Sequence, residues 1–250
     1  VITGDFVDPN VLDRINRISY DIVFHTAANP RVSYSVDHPT ITTEENVYKT
    51  VALFEACQKA DVRRVVFSSS SAVYGDVERL PTKESVQGVP QSPYGLQKKV
   101  CEDFAALFNR LYGTDIVSLR YFNVYGPNQK DHFIPEFINR VKKKKFMIFG
   151  GKNSRSFIFI KDAVRATIKL SKKNIKNEIF NLGSNIEYKI IDVAKLILKI
   201  LNIRKKIKVF KAPRGSVIRR KPEIKKLNSV IGNFNTTHLE DGLKIILNKK

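Results

Sequence analysis

The chain of 250 residues contains only two cysteines, Cys57 and Cys101, and no apolar run approaches the length of a membrane span. Two cysteines are too few for a disulfide scaffold or a four-cysteine zinc site, and such usage is typical of a reducing compartment. No secretory signal pattern is visible, and ten prolines with twelve glycines exclude collagen and low-complexity disorder. These absences favour a cytoplasmic globular protein with one large domain or two small ones.

Acidic residues are scarce in the second half of the chain. Residues 1–125 carry 13 Lys and Arg against 15 Asp and Glu, whereas residues 126–250 carry 31 against 9. A basic half favours an anionic partner such as nucleotide phosphates, nucleic acid or a membrane surface. Few aromatic residues lie among the lysine runs, as a stacking surface for nucleic acid would require. We therefore expect mostly solvated helix faces, with no specific nucleic-acid partner and no membrane.

The first half alternates apolar strands with segments of helical periodicity. Strands are predicted at 21–28, 64–68 and 116–120, and helices at 43–60 and 94–112. This alternation is typical of βαβ units, which form a parallel sheet covered by helices on both faces. Ligands bind beyond the carboxyl ends of such strands, so the loops after Thr26, Phe67 and Arg120 are candidate sites.

The second half is less regular. Helices are predicted at 134–144, 162–171, 190–202 and 237–247, and strands at 146–149, 157–160 and 178–182. The turn at residues 125–128 is the candidate domain boundary, because composition shifts there as well.

The segment Ser-Pro-Tyr-Gly-Leu-Gln-Lys at residues 92–98 carries the strongest local signal. Ser92 is a good N-cap and Pro93 a good first helical residue, so Tyr94 and Lys98 should share a face one turn apart. A free tyrosine, with a pKa of about 10, is a poor base, but an ammonium and the helix N-terminus favour the phenolate. Such a pair suits removal of a hydroxyl proton while hydride leaves the carbon. Alone, the pattern is more often a solvated helix pair.

The context changes that balance, because a serine run at residues 68–71 follows a predicted strand about twenty residues upstream. Together with other ordered motifs it resembles the extended short-chain dehydrogenase/reductase family, in its NAD-dependent sugar-nucleotide epimerase/dehydratase branch, over essentially the whole chain. The further motifs are Gly-Asp-Phe-Val-Asp at 4–8, Val-Phe-His-Thr-Ala-Ala at 23–28, Val-Ser-Tyr-Ser at 32–35 with Pro39, Asn-Val at 46–47, Arg-Tyr-Phe-Asn-Val-Tyr-Gly at 120–126, and Arg-Ser-Phe-Ile at 155–158 with Asp162.

The resemblance implies NAD as cofactor, a homodimer and a catalytic triad. In that triad Tyr94 is the base, Lys98 holds the cofactor ribose and lowers the tyrosine pKa, and Ser70 supplies a hydroxyl. The residues implied to bind the cofactor are Asp5, Ala27, Ala28, Asn46, Ser68, Tyr94, Lys98 and Tyr121. No metal is expected.

The resemblance also implies a UDP-sugar as substrate. The implied substrate-binding residues are Ser70, Asn123, Phe149, Arg155, Arg214 and Arg220, with Phe149 against the uracil and the Asn and Arg side chains on the diphosphate. The basic half should then raise the local concentration of this dianionic substrate. The sugar stays open among glucose or galactose, their N-acetyl analogues and a uronate, which Arg219 and Arg220 would suit.

Two positions bear on the reaction. Dehydratases of this branch carry Asp-Glu directly after the triad hydroxyl, and decarboxylases keep the Glu, whereas this chain has Ser71 and Ala72. We therefore expect epimerisation of a UDP-hexose at C4. A decarboxylase or dehydratase remains an alternative, since Arg220-Lys221-Pro222 resembles a stretch also found in decarboxylases. A non-catalytic nucleotide-sugar-binding protein is a further alternative.

Two departures from the family pattern concern phosphate binding. No two glycines lie three residues apart, so the sequence does not contain the glycine-rich pyrophosphate loop. The first two βα units of the family fold, of ~30 residues each, are absent as well. Ser216 stands where the family usually has Asp. The expected fold is an α/β Rossmann-like parallel sheet flanked by helices, without its N-terminal strands and therefore marginal alone, plus a smaller α/β C-terminal substrate domain. Residues 1–125 form the predicted partial NAD-binding domain, to which 155–183 return, and residues 126–250 are mainly substrate-binding.

Overall fold

The structure is a computed structural model that describes residues 3–18, 20–213 and 216–248. The chain divides into two compact units. The first unit comprises residues up to 75 with 87–120 and 167–180, and the second comprises 76–86, 121–166 and 181 onward. The functional assignment of the two predicted domains stays a prediction.

Ten helices occur in the described part of the chain. They are α1 (Pro9–Arg17), α2 (Val32–Asp37), α3 (Pro39–Thr43), α4 (Lys49–Lys59), α5 (Pro93–Tyr112), α6 (Phe133–Lys142), α7 (Ile160–Ser171), α8 (Ile190–Ile200), α9 (Lys225–Ile231) and α10 (Leu239–Leu247). A π-helical turn, Glu44–Tyr48, leads into α4, and a 3₁₀ turn, Ser71–Tyr74, lies between α4 and α5.

Eleven strands are described in the same residues. They are β1 (Ile22–His25), β2 (Arg64–Ser70), β3 (Ile116–Tyr121), β4 (Val124–Tyr125), β5 (Met147–Phe149), β6 (Ser154–Ser156), β7 (Ile158–Phe159), β8 (Ile179–Leu182), β9 (Glu187–Lys189), β10 (Lys208–Phe210) and β11 (Arg219–Arg220).

The four-stranded sheet has the order β1-β2-β3-β8, and β1 runs parallel to β2 with Ile22 opposite Arg64. Its strands are the apolar runs that the sequence predicts, and the parallel α/β fold is confirmed. Side chains of β2, α4 and α5 form the core of the first unit, around Phe54, Phe67 and Phe108. The apolar stripes of α4 and α5 therefore pack against the sheet, and the loops at the carboxyl ends of its strands carry polar side chains.

The second unit contains small sheets. Parallel pairs join β10 to β5 and β4 to β7, and β6 lies between β11 and β9. Helices α6, α8 and α10 enclose its core, which includes Phe137, Ile197 and Leu243. The sequence predicts α6, α8 and α10 here but misses the short helix α9. It also misses β4, β6, β9, β10 and β11, because two or three residues give no alternation to detect.

Helices α1, α2 and α3 were also missed, and α2 and α3 are each shorter than two turns. The amphipathic α1 begins at Pro9, where the Asp8 carboxylate accepts a hydrogen bond from the Asn10 main-chain N (2.9 Å). No helix in the described part of the chain is long and apolar enough to cross a bilayer.

Candidate active site

The start of α5 is built as the sequence predicts. Ser92 is the N-cap, and its hydroxyl accepts a hydrogen bond from the Gly95 main-chain N (3.2 Å), with Pro93 as the first helical residue. Tyr94 is 8% exposed, and its main-chain N donates to the Ser35 hydroxyl of α2 (3.1 Å). The helix that sequence analysis missed therefore helps to fix the first turn of α5.

Gly95 allows the 3₁₀ turn to approach α5 closely. A Cβ atom at this position would lie 2.6 Å from the Ala72 carbonyl oxygen, which is too close for any side chain. Ser70 precedes the turn, and its hydroxyl accepts a hydrogen bond from the Ala72 main-chain N (3.1 Å). The close contact of the two backbones therefore brings the segments that carry Ser70 and Tyr94 together at the carboxyl end of β2.

The serine run at the end of β2 has two faces. Successive strand residues point to opposite sides, so Ser68 and Ser70 share a face and Ser69 lies on the other. Ser68 and Ser70 are half-buried. Ser69 is buried and donates its hydroxyl to the Glu102 carboxylate of α5. This alternation makes Ser69 a structural residue and leaves Ser68 and Ser70 for the candidate site.

Lys98 is a buried cation one helical turn from Tyr94. Its side chain is among the largest that are fully buried, and its Nζ lies 4.7 Å from the centre of the Phe67 ring. Burial lowers the pKa of Lys98 to about 8, against the opposing charge effects of Cys101 and Glu102. A buried ammonium is costly, which makes Lys98 a candidate functional group.

His25, at the end of β1, is held neutral beside this cation. Its Nε2 lies 2.8 Å from the Thr50 hydroxyl, which itself donates to the Asn46 carbonyl oxygen (2.7 Å). Because that hydroxyl has one proton, His25 Nε2 must be the donor, which fixes the tautomer. Burial first, and then the Lys98 charge, lower the pKa of His25 to about 3. The sequence analysis includes His25 in the motif at residues 23–28 but assigns no role to it.

The side chains of Asn46 and Gln97, together with the main-chain groups of Asn29, form what we term the amide network. Asn46 lies in the π-helical turn, accepts from the Asn29 main-chain N (2.7 Å), and donates to the Asn29 carbonyl (3.1 Å) and to Gln97 Oε1 (2.9 Å). Gln97 Nε2 donates to the hydroxyls of Thr42 (2.9 Å) and Thr43 (3.1 Å). The network therefore ties the loop after β1 to the π-helical turn and to α5.

The amide network changes how the predicted cofactor residues are placed. Ala27 and Ala28 directly precede Asn29 in that loop. The buried Asn46 side chain is engaged with Asn29 and Gln97, so it can act by fixing this loop. Asp5 lies elsewhere: its carboxylate pairs with Lys49 of α4, and this hydrogen bond lowers the pKa of Asp5.

A buried ion pair joins helix α5 to strand β3. The Arg120 guanidinium of β3 makes two hydrogen bonds to the Glu102 carboxylate (2.9 and 2.6 Å) and donates to the Tyr74 hydroxyl (2.8 Å). Arg120, Glu102 and Tyr74 are all buried. This bidentate pair holds α5, β3 and the 3₁₀ turn in one arrangement. Sequence reasoning missed Glu102, since no motif marks it.

In the second unit, Asn123 and Arg155 are held by main-chain groups. Asn123 has a φ of 39° and donates its Nδ2 to the Ser156 carbonyl (2.7 Å). The Arg155 guanidinium donates to three carbonyls, those of Ser154 (2.7 Å), Val217 (2.6 Å) and Ile218 (3.1 Å). Burial lowers the pKa of Arg155 to about 10.

The two arginines of β11 face opposite sides. Arg220 is opposite Arg155 in parallel register, and Arg219 is opposite Ser154. Arg155 and Arg220 therefore share a face of this small sheet. On the other face the Arg219 guanidinium makes a bidentate pair with Glu187 (2.7 and 3.0 Å). The register thus places Arg155 and Arg220 on one face and the pair of Arg219 with Glu187 on the other.

The remaining predicted residues are dispersed. Phe149 is exposed on β5, with the Arg140 guanidinium 5.2 Å and the Phe210 ring 5.7 Å from its ring centre. Tyr121 is half-buried at the end of β3. Arg214 lies outside the described residues. Across the parts of the chain that are described, no group of three or more His, Cys, Asp or Glu side chains could hold a metal ion.

The donor set of the first unit fits the ribose and nicotinamide part of a dinucleotide. A hydroxyl, a phenol and a buried ammonium lie at the carboxyl end of a parallel strand, where such ligands bind in α/β sheets. Ser70, Tyr94 and Lys98 would hold that part. The sequence has no pair of glycines three residues apart, so these residues do not include a glycine-rich cradle for the pyrophosphate.

Comparison with known proteins agrees with this geometry. Residues 1–183 match the model of the NAD dependent epimerase/dehydratase family. A Methanocaldococcus jannaschii protein described as a candidate UDP-glucose 4-epimerase is 35% identical over 254 residues, which span 99% of this chain and 82% of that protein.

Solved structures give the same result. A UDP-N-acetylglucosamine 4-epimerase from Methanobrevibacter ruminantium, in complex with UDP-N-acetylmuramic acid, superposes with a TM-score of 0.90 at 30% identity, covering 98% of this chain and 81% of that one. A UDP-glucuronic acid 4-epimerase from Bacillus cereus, in complex with UDP-glucuronic acid and NAD, gives 0.91 at 29% identity, covering 98% and 79%.

Proposed function

Because the chain belongs to the NAD-dependent epimerase/dehydratase family, with NAD as its cofactor, we propose that it interconverts the C4 epimers of a UDP-hexose. One observation carries this choice of reaction. The turn beside Tyr94 begins with Ser71 and Ala72, so it offers no carboxylate at the positions next to Ser70. Elimination of water needs an additional acid and base, whereas inversion of one hydroxyl needs a single proton acceptor.

The proposed chemistry uses Tyr94 as that acceptor. Its phenolic oxygen removes the proton of the 4-hydroxyl while the hydrogen on C4 leaves with its electron pair, which gives a 4-keto sugar. The hydride acceptor and donor for this exchange would be supplied by bound NAD. After the sugar turns over, hydride returns to the other face of C4, and Tyr94 gives the proton back to the oxygen.

Lys98 and Ser70 support this proton transfer. The buried Lys98 ammonium stabilises negative charge on the Tyr94 oxygen and anchors the cofactor ribose, and its low-dielectric surroundings strengthen both effects. The Ser70 hydroxyl donates to the oxygen on C4. Neutral His25 adds no competing positive charge near Lys98.

During the turn of the sugar, the nucleotide must stay bound. We assign Asn123, Arg155 and Arg220 to the diphosphate and Phe149 to the uracil. The pairing of Arg155 with Arg220 supports this, because two cations on one face match a dianion. UDP-glucose and UDP-galactose are the first substrates to test, followed by the N-acetyl and uronate forms.

The experiment that tests the proposal is Tyr94→Phe, made in the full-length protein. We expect interconversion of UDP-glucose and UDP-galactose to fall by about 10²–10⁴-fold or more, with UDP-sugar affinity nearly unchanged. Tyr112→Phe is the matched control, because Tyr112 is an exposed tyrosine at the other end of α5. Retained turnover in Tyr94→Phe would end the base assignment, and release of water or CO₂ by the parent would overturn epimerisation.

A further inference from the structure

A concave surface lies on the second unit, between α8 and the segment that follows it. It encloses about 790 Å³ and is lined by residues of α8 and of the segment 202–207. Its floor is apolar, formed by Ile191, Leu198, Ile203 and Ile207, which pack against the core of the unit. We term this surface the α8 groove. None of the residues assigned to the proposed epimerase reaction lines it.

All charged residues that line the α8 groove are cations and form its rim, and Asn202 is the one neutral polar residue of the groove. Five cations line it and no Asp or Glu does. They are Lys195, Lys199, Arg204, Lys205 and Lys206, and all five are exposed. Such a rim, close around an apolar floor, differs from the isolated lysines of a solvated helix face.

Ion pairing separates these cations from others in the same unit. Arg140, Arg165, Arg219 and Lys244 each form an ion pair with a carboxylate at 3.0 Å or less. Within the described ranges, none of the five rim cations is in an ion pair. The carboxylate of Glu240, which feels the charge of Lys199, is already paired with Lys244. Within the described residues, no carboxylate therefore pairs with the five cations of the α8 groove.

The chemistry of the groove selects among anionic partners. No aromatic side chain lines it, so nucleic-acid bases would find no stacking surface. A flat lipid surface does not fill a concave floor. A volume of this size accommodates a short segment, and an amphipathic helix places apolar residues on one side and carboxylates on the other.

We propose that the α8 groove binds an acidic amphipathic helix of a partner protein, whose apolar face packs on the floor and whose carboxylates pair with the rim. This interaction is independent of the proposed epimerase activity. Its charge component should weaken as salt rises, because the rim is exposed. The apolar component should persist.

The test uses a fluorescein-labelled peptide of fifteen residues, with Leu on one helical face and Glu elsewhere, in anisotropy titrations at 150 mM salt. The groove variant combines Lys195→Glu, Lys199→Glu and Lys205→Glu. The matched control combines Lys172→Glu, Lys173→Glu and Lys176→Glu, which are exposed lysines in the first unit. Thermal melts confirm that each variant is folded, and UDP-sugar turnover is measured in parallel.

We expect the parent and the control variant to bind the peptide alike, and the groove variant to bind it about tenfold more weakly or worse. Replacing Glu by Gln, or Leu by Ser, in the peptide should weaken binding to a similar degree. Equal losses in the groove and control variants would overturn the proposal, as would no binding by the parent. The proposal would also be overturned if the groove variant lost binding to single-stranded RNA or to phosphatidylglycerol vesicles but still bound the peptide. Unchanged turnover keeps this result separate from the proposed reaction.

Discussion

The two units handle electric charge in different ways. The first unit buries two ion pairs, Arg64 with Asp115 and Arg120 with Glu102. The Arg64 guanidinium also donates to the main-chain carbonyls of Ser171 and Lys173. In the second unit, most cations are at the surface, and the half-buried Arg155 guanidinium is held by main-chain carbonyls. The first unit therefore pairs its buried arginines with carboxylates, whereas the second holds a half-buried arginine with main-chain carbonyls.

This difference predicts where single substitutions matter. A buried pair that loses one member leaves an uncompensated charge, which is strongly destabilising. An exposed pair contributes little, because solvent and salt screen it. The free energy of unfolding should thus respond strongly to changes in the first unit and weakly to changes on the surface of the second.

Glu102→Ala should have the largest effect on stability. It leaves Arg120 buried without its carboxylate, so we expect the free energy of unfolding to fall by about 3–5 kcal/mol. Urea denaturation measures this change. Glu55→Ala is the control in the same unit, because Glu55 forms an exposed pair with Lys59 and its loss should cost about 0.5 kcal/mol. Similar losses in the two variants would contradict the distinction between buried and exposed pairs.

Lys98→Met should act in the opposite direction on stability. Replacing the buried ammonium removes its dehydration penalty, and we expect the protein to become about 1–3 kcal/mol more stable while epimerase activity is lost. The measurement is a pair of urea curves at pH 7, with turnover recorded on the same samples. A destabilised Lys98→Met protein would mean that the ammonium is well compensated in the fold.

The same residue predicts a pH dependence. The pKa of Lys98 is lowered to about 8 in the folded state, from its ordinary value of 10.5, so the unfolded chain binds more protons between these pH values. Stability contributed through Lys98 should therefore rise as pH increases from about 8 to 10.5, and this rise should vanish in Lys98→Met. Activity should decline over the same range, because the ammonium is lost.

Gln97→Ala should have a moderate effect. It removes the bridge between Asn46 and the two threonine hydroxyls, and we expect about 1–2 kcal/mol of destabilisation. Because the loop carrying Ala27 and Ala28 is then less firmly held, NAD affinity should fall more than UDP-sugar affinity. Gln91→Ala is the control, since Gln91 is an exposed glutamine just before α5. Equal NAD affinity in both variants would contradict the positioning role of the amide network.

Arg219→Ala should have the smallest effect. Its pair with Glu187 is half-exposed, so we expect a loss of about 0.2–1 kcal/mol and unchanged UDP-sugar affinity. Arg220→Ala, one residue away on the opposite face, should weaken UDP-sugar binding measured by calorimetry. A stronger binding defect in Arg219→Ala would show that the strand register does not separate the two roles.

The sequence predicts the sheet of the first unit and its helices α4 and α5 for a physical reason. Its strands are continuous apolar runs, and the N-cap at Ser92 and the proline at position 93 mark the start of α5 locally. The link between Asn46 and Gln97 spans 51 residues of sequence and depends on the π-helical turn, which no local pattern predicts.

The second unit was harder to predict because its geometry depends on register. Arg219 and Arg220 are neighbours in sequence and read as one basic cluster. Only the pairing of β11 with β6 assigns one to Glu187 and the other to the face of Arg155. A two-residue strand carries no periodicity, so this separation needs the structure.

The close approach of Gly95 to the Ala72 carbonyl affects which substitutions the site can tolerate. The spacing between the segments of Ser70 and Tyr94 is set by contact of two backbones, at a position where a methyl group would act as a wedge. We therefore expect that neighbouring side chains can vary in size without changing the distance between the Ser70 hydroxyl and the Tyr94 phenol. Redesign of neighbouring side chains should change this distance little. The substitution Gly95→Ala, which adds a Cβ atom at the contact, should push the two segments apart.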